Sequence, residues 1–244
     1  MNKTVGFTLA EVIITLGIIG VVAAMTIPTI VSRVTHKRLQ FQLKKTYSDL
    51  NRAARTFYAD TDSSVHDYDL IADHKEDSAS RNDATLKKFM SYYNGFSVSD
   101  QNNWTKFDEQ YKINNLNMKG YISTGAYPCD ASRVYLDDVG RLYTMDDTVR
   151  VYKNFDFGPK ICVDINGIDR PNRWGYDRFV FVFTSQNAVV PYTGKEYWTL
   201  SKNLFDKNEI AQYCNKTSSH ACAYFALLDE APDGKGSYWY NYLK

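Results

Sequence analysis

Residues 7 to 31 form an apolar stretch of 25 residues whose only ionisable side chain is Glu11. As a helix rising about 1.5 Å per residue, this stretch reaches roughly 37 Å and can cross the hydrocarbon core of a bilayer. It is too long for the apolar core of an ordinary secretory signal, and the polar segment ahead of it is only six residues. Ala23-Ala24-Met25 is the one place where ordinary signal-peptidase cleavage would be looked for. Mean hydropathy over the whole chain is −0.43, so the remainder is not a set of further spans. The 244 residues leave room for one well-buried domain behind the apolar stretch.

Directly at the start of that stretch stands Gly6-Phe7-Thr8-Leu9-Ala10-Glu11-Val12. This segment resembles the class III signal of the type IV pilin and type II secretion pseudopilin families: a Gly before the cut, a Phe after it and a Glu five residues into the mature chain. The resemblance covers the first 30 to 35 residues and lends only fold-class support beyond them. It implies a leader of residues 1–6, with cleavage between Gly6 and Phe7 by prepilin peptidase, which also N-methylates Phe7. It also implies assembly of the mature chain through its N-terminal helix, with other pilin or pseudopilin subunits, a filament assembly platform and membrane lipid as partners. The place implied is the inner or cytoplasmic membrane, single-pass with an extracytoplasmic head, and a cell-surface or periplasmic filament after assembly.

The physical chemistry of Glu11 stands beside this resemblance. A carboxylate at the centre of a membrane helix costs about 2.5 to 3.5 kcal/mol on insertion scales, and less near the interface. Cleavage after Gly6 would supply a partner, because the new amino group of Phe7 lies one helical turn away and a neighbour's Glu11 could neutralise it. An interfacial Glu11 that snorkels is the plainer alternative. Pro28 removes a backbone donor and crowds the preceding turn, and Gly20 weakens the helix further, so a kink or a melted segment is expected between them. In the resembled families such a stretch can unwind on assembly. Arg33, His36, Lys37, Arg38, Lys44 and Lys45 follow the span while only Lys3 precedes it, so counting positive charges favours the opposite orientation. The cleavage motif is the more specific signal, and the basic cluster is read as a solvated helix face, with lipid headgroups or neighbouring subunits as the alternative.

Past the span the helical period resumes. Leu39, Leu43, Tyr47, Leu50, Ala54 and Phe57 share one face, with Lys44, Asp49, Arg52 and Arg55 elsewhere. The expected organisation is a transmembrane helix over 7–31, an amphipathic continuation over 32–58, and a globular head over 59–244. The fold class is α+β: a long N-terminal helix packed on an antiparallel sheet, pilin-like by resemblance. Residues 59–85 are polar and aperiodic and read as a surface loop, within which His66 and His74 lack metal-ligand spacing and are expected to be solvated. Leu86, Phe89, Met90 and Tyr93 predict a short helix. Strands are expected at 134–136 and 142–144 around an Asp137–Gly140 turn, then at 149–157, 160–165, 179–183 and 188–192. Short helices follow at 209–213 and 222–228, with Trp239 anchoring the tail.

Cys129, Cys162, Cys214 and Cys222 permit three pairings in an exported domain, and no C-x-x-C pair points to zinc. The preferred pairing is Cys129 with Cys162 and Cys214 with Cys222, against free buried thiols. C-terminal disulfide loops recur in the resembled families. Asp164, Asn166, Asp169 and Asp177 carry oxygens that calcium would take, but the spacing is not that of an EF-hand. Asn-Gly and Pro-Asn turns need no ion, and the resembled families carry a comparable segment between strands, so a structural turn is the preferred reading and no cofactor is expected.

The charge balance is 29 basic against 28 acidic residues, which exerts no long-range pull on nucleic acid, and no nucleic-acid partner is expected. The chain lacks G-x-S-x-G, H-E-x-x-H, P-loop and dinucleotide fingerprints, and it is not expected to be an enzyme. Two function classes remain: a structural subunit of a type IV pilus or type II secretion pseudopilus, or a single-span tethered binding or adhesion protein of the cell exterior.

Overall fold

The computed structural model describes residues 6, 8–71, 78–93, 96–97, 129, 134–146, 157–194, 205–215, 217 and 219–243. Two units divide the chain, Met1–Arg38 and Leu39–Lys244. One helix, α1 (Leu9–Thr61), contributes to both.

In the first unit, every large apolar side chain from Leu9 to Val34 is exposed. The helix is long and apolar enough to cross a membrane, and its most apolar window has a mean hydropathy of 2.2. It stays helical through Gly20 and Pro28, so of the kink or melted segment expected there the melted segment is absent from this helix. One missing donor leaves the turns on either side hydrogen-bonded, and the Thr26 hydroxyl adds a bond to the Val22 carbonyl at 2.9 Å. A Cβ added at Gly20 would meet nothing within 4 Å, so no neighbour in the chain demands glycine there.

The second unit is an α+β domain. Six antiparallel strands, β1 (Phe96–Ser97), β2 (Tyr135–Leu136), β3 (Leu142–Asp146), β4 (Phe157–Asp164), β5 (Arg178–Thr184) and β6 (Val189–Pro191), lie in sequence order as a meander. The period-2 alternation sends Tyr143, Met145, Ile161, Val163, Phe179, Phe181 and Phe183 to one face, where they join the stripe of α1 in the main core. Leu39, Leu43, Leu50, Ala54 and Phe57 are all buried as the period predicts. Tyr47 stacks on Phe181 at 5.7 Å, and the Asn51 amide brackets β6 by donating to the Val189 carbonyl (3.1 Å) and accepting from its N–H (3.0 Å). The opposite face carries a smaller cluster of Val134, Leu142, Cys162, Trp174 and Val180.

The stretch expected to be a loop contains two helices, α2 (Val65–Ile71) and most of α3 (Ser78–Ser91). The sequence hides them because their polar side chains serve inward bonds: the Ser64 hydroxyl caps α2 by accepting from the Asp67 N–H at 2.9 Å, and the Thr85 hydroxyl donates to Asp69 at 2.7 Å. His66 is buried rather than solvated, with Nδ1 2.9 Å from Asp67. Phe89 then bridges the layers, 6.5 Å from Phe57 and 4.9 Å from Phe183. The strand expected over 149–157 lies outside the described residues except for Phe157, as does His74.

Both disulfides join the preferred pairs, Cys129–Cys162 and Cys214–Cys222. By loop-closure entropy the first, closing 33 residues, contributes about 4 kcal/mol, and the second, closing 8, about 2.5 kcal/mol. The C-terminal part is built from α4 (Lys207–Tyr213), a short turn and α5 (Ala223–Leu228), closed by a π-helical turn at Tyr238–Tyr242. Trp239 is fully buried against Phe179, with its indole N–H donating to the Ala226 carbonyl at 2.9 Å.

Candidate functional site

At the start of α1 the carboxylate of Glu11 accepts from both the N–H and the hydroxyl of Thr8, each at 2.8 Å, while the Thr8 hydroxyl accepts from the Glu11 N–H at 3.3 Å. This is a capping box, with Thr8 outside the first turn and Glu11 three residues in. The T-x-x-E spacing of this box is legible in the sequence. Gly6 is exposed immediately ahead, and Phe7 lies outside the described residues.

The apolar side chains that follow set a quantitative constraint. Leaving them in water would cost on the order of tens of kcal/mol at about 1.5–3 kcal/mol each, more than the whole stability of a typical domain. A bilayer core, which this helix is long and apolar enough to cross, would remove that cost.

In the head, a buried charge network was not legible in the sequence. Arg141, beside the β2–β3 turn, donates from Nε to Asp137 at 2.5 Å and from its two terminal nitrogens to Asp49 of α1 at 3.2 Å each, with a further bond to Thr46 at 3.0 Å. Asp137 also accepts from the Arg141 and Val139 N–H groups and from the Tyr143 hydroxyl. Arg141, Asp49 and Asp137 are all buried, so α1 is tied to the sheet through ions. On the exposed side Asp49 meets Lys45 at 2.7 Å and Arg52 at 3.2 Å.

Beside this network lies an open groove of about 480 Å³, walled by Phe41, Tyr92, Tyr93 and Val139 and edged by Lys45 and Arg52. The β2–β3 turn that forms one wall is packed against the β4–β5 connection. A Cβ at Gly167, whose φ is +71°, would fall 2.1 Å from the Gly140 carbonyl oxygen.

The four calcium candidates differ in their settings. Asp164 and Asp177 are buried close together, Asp169 is exposed, and the Asn166 amide donates to the Asp169 backbone carbonyl at 3.2 Å. Asp177 is committed to the turn, accepting from the Asn172 and Arg173 N–H groups at 3.0 and 2.5 Å. Among the described residues no group of three or more His, Cys, Asp or Glu could hold a metal. Burial, and then the neighbouring Asp177, push the Asp164 carboxyl well above the usual range. Burial likewise pushes Asp177 up to about 6.

A carboxyl that binds its proton more tightly folded than unfolded stabilises the fold at low pH. That contribution is complete below about 3.8 and is lost as pH rises through about 6. His220 acts in the opposite sense. Burial, then Lys160 and Arg178, lower its imidazole to about 4, so its contribution is present above 6.5 and is lost as pH falls. Asp164→Asn is expected to raise stability at pH 7 and to leave it nearly unchanged at pH 4. Denaturant melts of variant and wild type at the two pH values measure this difference, and an equal change at both would refute the buried-pair account.

Comparison with protein-family models, with curated proteins and with solved structures gives no match to this chain. What the fold defines by itself is an α+β domain with two disulfides, preceded by a helix capable of spanning a bilayer.

Proposed function

We propose that this chain is a structural subunit of a type IV pilus or type II secretion pseudopilus, cut after Gly6 by prepilin peptidase and built into a filament through its N-terminal helix. The observation that carries the reading is the uncovered apolar face of α1, directly behind the Gly6–Glu11 motif. In the subunit store that face is covered by lipid, and in the filament it is covered by the helices of neighbouring subunits. The two disulfides support a head in an oxidising, extracytoplasmic compartment. The α+β architecture, a long helix whose second half packs on an antiparallel sheet, supports the same reading. The subunit performs no chemistry of its own, and its mechanism is burial of the rod in exchange for lipid.

Mass spectrometry of the N-terminus, on protein extracted from its native membranes, tests this proposal. The expected result is a chain of 238 residues beginning with N-methylated Phe7. An intact leader in cells with active prepilin peptidase would instead favour a single-span tethered binding or adhesion protein.

A further inference from the structure

Three cations stand just past the apolar span with no acid to meet them. Residues 32–38 of α1 carry Arg33, Lys37 and Arg38 and no carboxylate, and all three side chains are exposed. None of the three has an ion-pair partner among the described residues. The nearest acids along the helix are Glu11 and Asp49, and Asp49 is already met by Lys45, Arg52 and Arg141. His36, by contrast, is buried. Arg33 and Lys37 are four residues apart and share a face, while Arg38 lies about 100° round from Lys37. Like charges at that spacing repel, and an anion between them relieves the repulsion. Val34 stands among them, 62% exposed, and carries the apolar surface of the span into the patch.

The length of the span sets the depth of these cations. The hydrocarbon core of a bilayer takes about 20 helical residues. Counted from Leu9, where α1 begins, it ends at about residue 28. Arg33 therefore lies at the headgroup layer, with Lys37 and Arg38 roughly one turn beyond it. Each Cα–Cβ bond of a helix tilts toward the N-terminus, so these long side chains lean back toward the bilayer. Their apolar stems lie along the helix while their charged ends reach the headgroups. In the orientation of the filament reading this is the translocated side, where counting positive charges disfavours them. Anionic headgroups on that side offset the disadvantage.

We propose that Arg33, Lys37 and Arg38 form a binding site for the phosphate groups of anionic phospholipids in the leaflet where the span ends. The two guanidinium groups take phosphate oxygens in pairs, and Lys37 adds a point charge between them. A zwitterionic lipid offers the same phosphate but brings its own cation, so the site prefers lipids of net negative charge. This inference rests on the membrane-spanning part of the filament reading and names the lipid class that holds the stored subunit.

The full chain reconstituted in phosphatidylcholine vesicles tests it, with a trace of spin-labelled phosphatidylglycerol compared against spin-labelled phosphatidylcholine. At about 0.1 M salt the anionic label is expected to associate with the protein about fivefold more strongly, the effect of a single cation near a charged surface. The preference is expected to fade at about 1 M salt, where charges are screened within about 3 Å. Arg33→Gln with Lys37→Gln and Arg38→Gln is expected to abolish it, and the charge-retaining Arg33→Lys with Arg38→Lys to keep most of it. Equal association of the two labels with the wild-type chain, or a preference that survives in the triple variant, would overturn the proposal and leave the filament reading standing. A preference lost equally in the charge-retaining variant would trace the loss to a disturbed helix and likewise overturn it. Wild-type chain that alkaline carbonate releases from the vesicles does not span them, and that result would remove both readings together.

Discussion

Replacing Arg141 with Met is expected to lower the stability of the head by about 3–5 kcal/mol, the usual cost of removing one member of a buried ion network. Among the described residues the guanidinium is the one cation that reaches Asp137, and it joins that residue to Asp49 and Thr46 on α1. Without it, Asp137 keeps the Val139 N–H, the backbone N–H at position 141 and the Tyr143 hydroxyl but no positive charge among the described residues, deep in the fold. Asp49 suffers less, since Lys45 and Arg52 still reach it from the solvent side. Asp49→Asn should therefore cost clearly less than Asp137→Asn, and the order of the two is as informative as the size of either. Denaturant unfolding of the disulfide-intact protein measures all three. A loss below about 1 kcal/mol for Arg141→Met, the scale of an exposed pair, would mean that the network does not hold α1 to the sheet.

Glu11 carries the second large effect, and the capping box makes the experiment sharper than a simple deletion. Glu11→Val should still insert into the membrane but should enter filaments at least an order of magnitude less well, because a new Phe7 amino group would be left without a partner in an apolar bundle. That variant also removes the Glu11 half of the capping box, while the Thr8 hydroxyl keeps its bond from the residue-11 N–H. Glu11→Gln separates the two roles. A glutamine amide can still accept from the Thr8 N–H and hydroxyl as Glu11 does, but it carries no charge. If charge pairing between subunits sets the register, Gln fails nearly as badly as Val, and Thr8→Ala, which weakens only the cap, assembles close to wild type. If Gln assembles normally, the role of Glu11 is confined to starting its helix.

The features read correctly from the sequence share one physical basis, a local period or a local composition. The apolar run over 7–31, the stripe from Leu39 to Phe57 and the alternation in Phe179–Phe183 are each patterns in which neighbouring positions carry the signal. The hairpin at Asp137–Gly140 and the short C-terminal disulfide loop are likewise local. Where the polar text around residues 59–85 was misread, the reason is that Thr85 bonds Asp69 inside the fold, Ser64 bonds the Asp67 N–H, and His66 is buried beside Asp67. Composition records their polarity but not their partners.

By itself the sequence determined that a long greasy helix begins at a specific motif and that a strand-rich domain with four cysteines follows it. Both follow from side-chain periodicity and need no knowledge of distant contacts. Only the tertiary structure decided that Asp49 on α1 meets Arg141 across 92 residues of chain, and that Asn51 on the same helix brackets Val189 of β6. Those facts depend on the order and register of the strands, which bring residues together through backbone hydrogen bonds that any side chain can accompany.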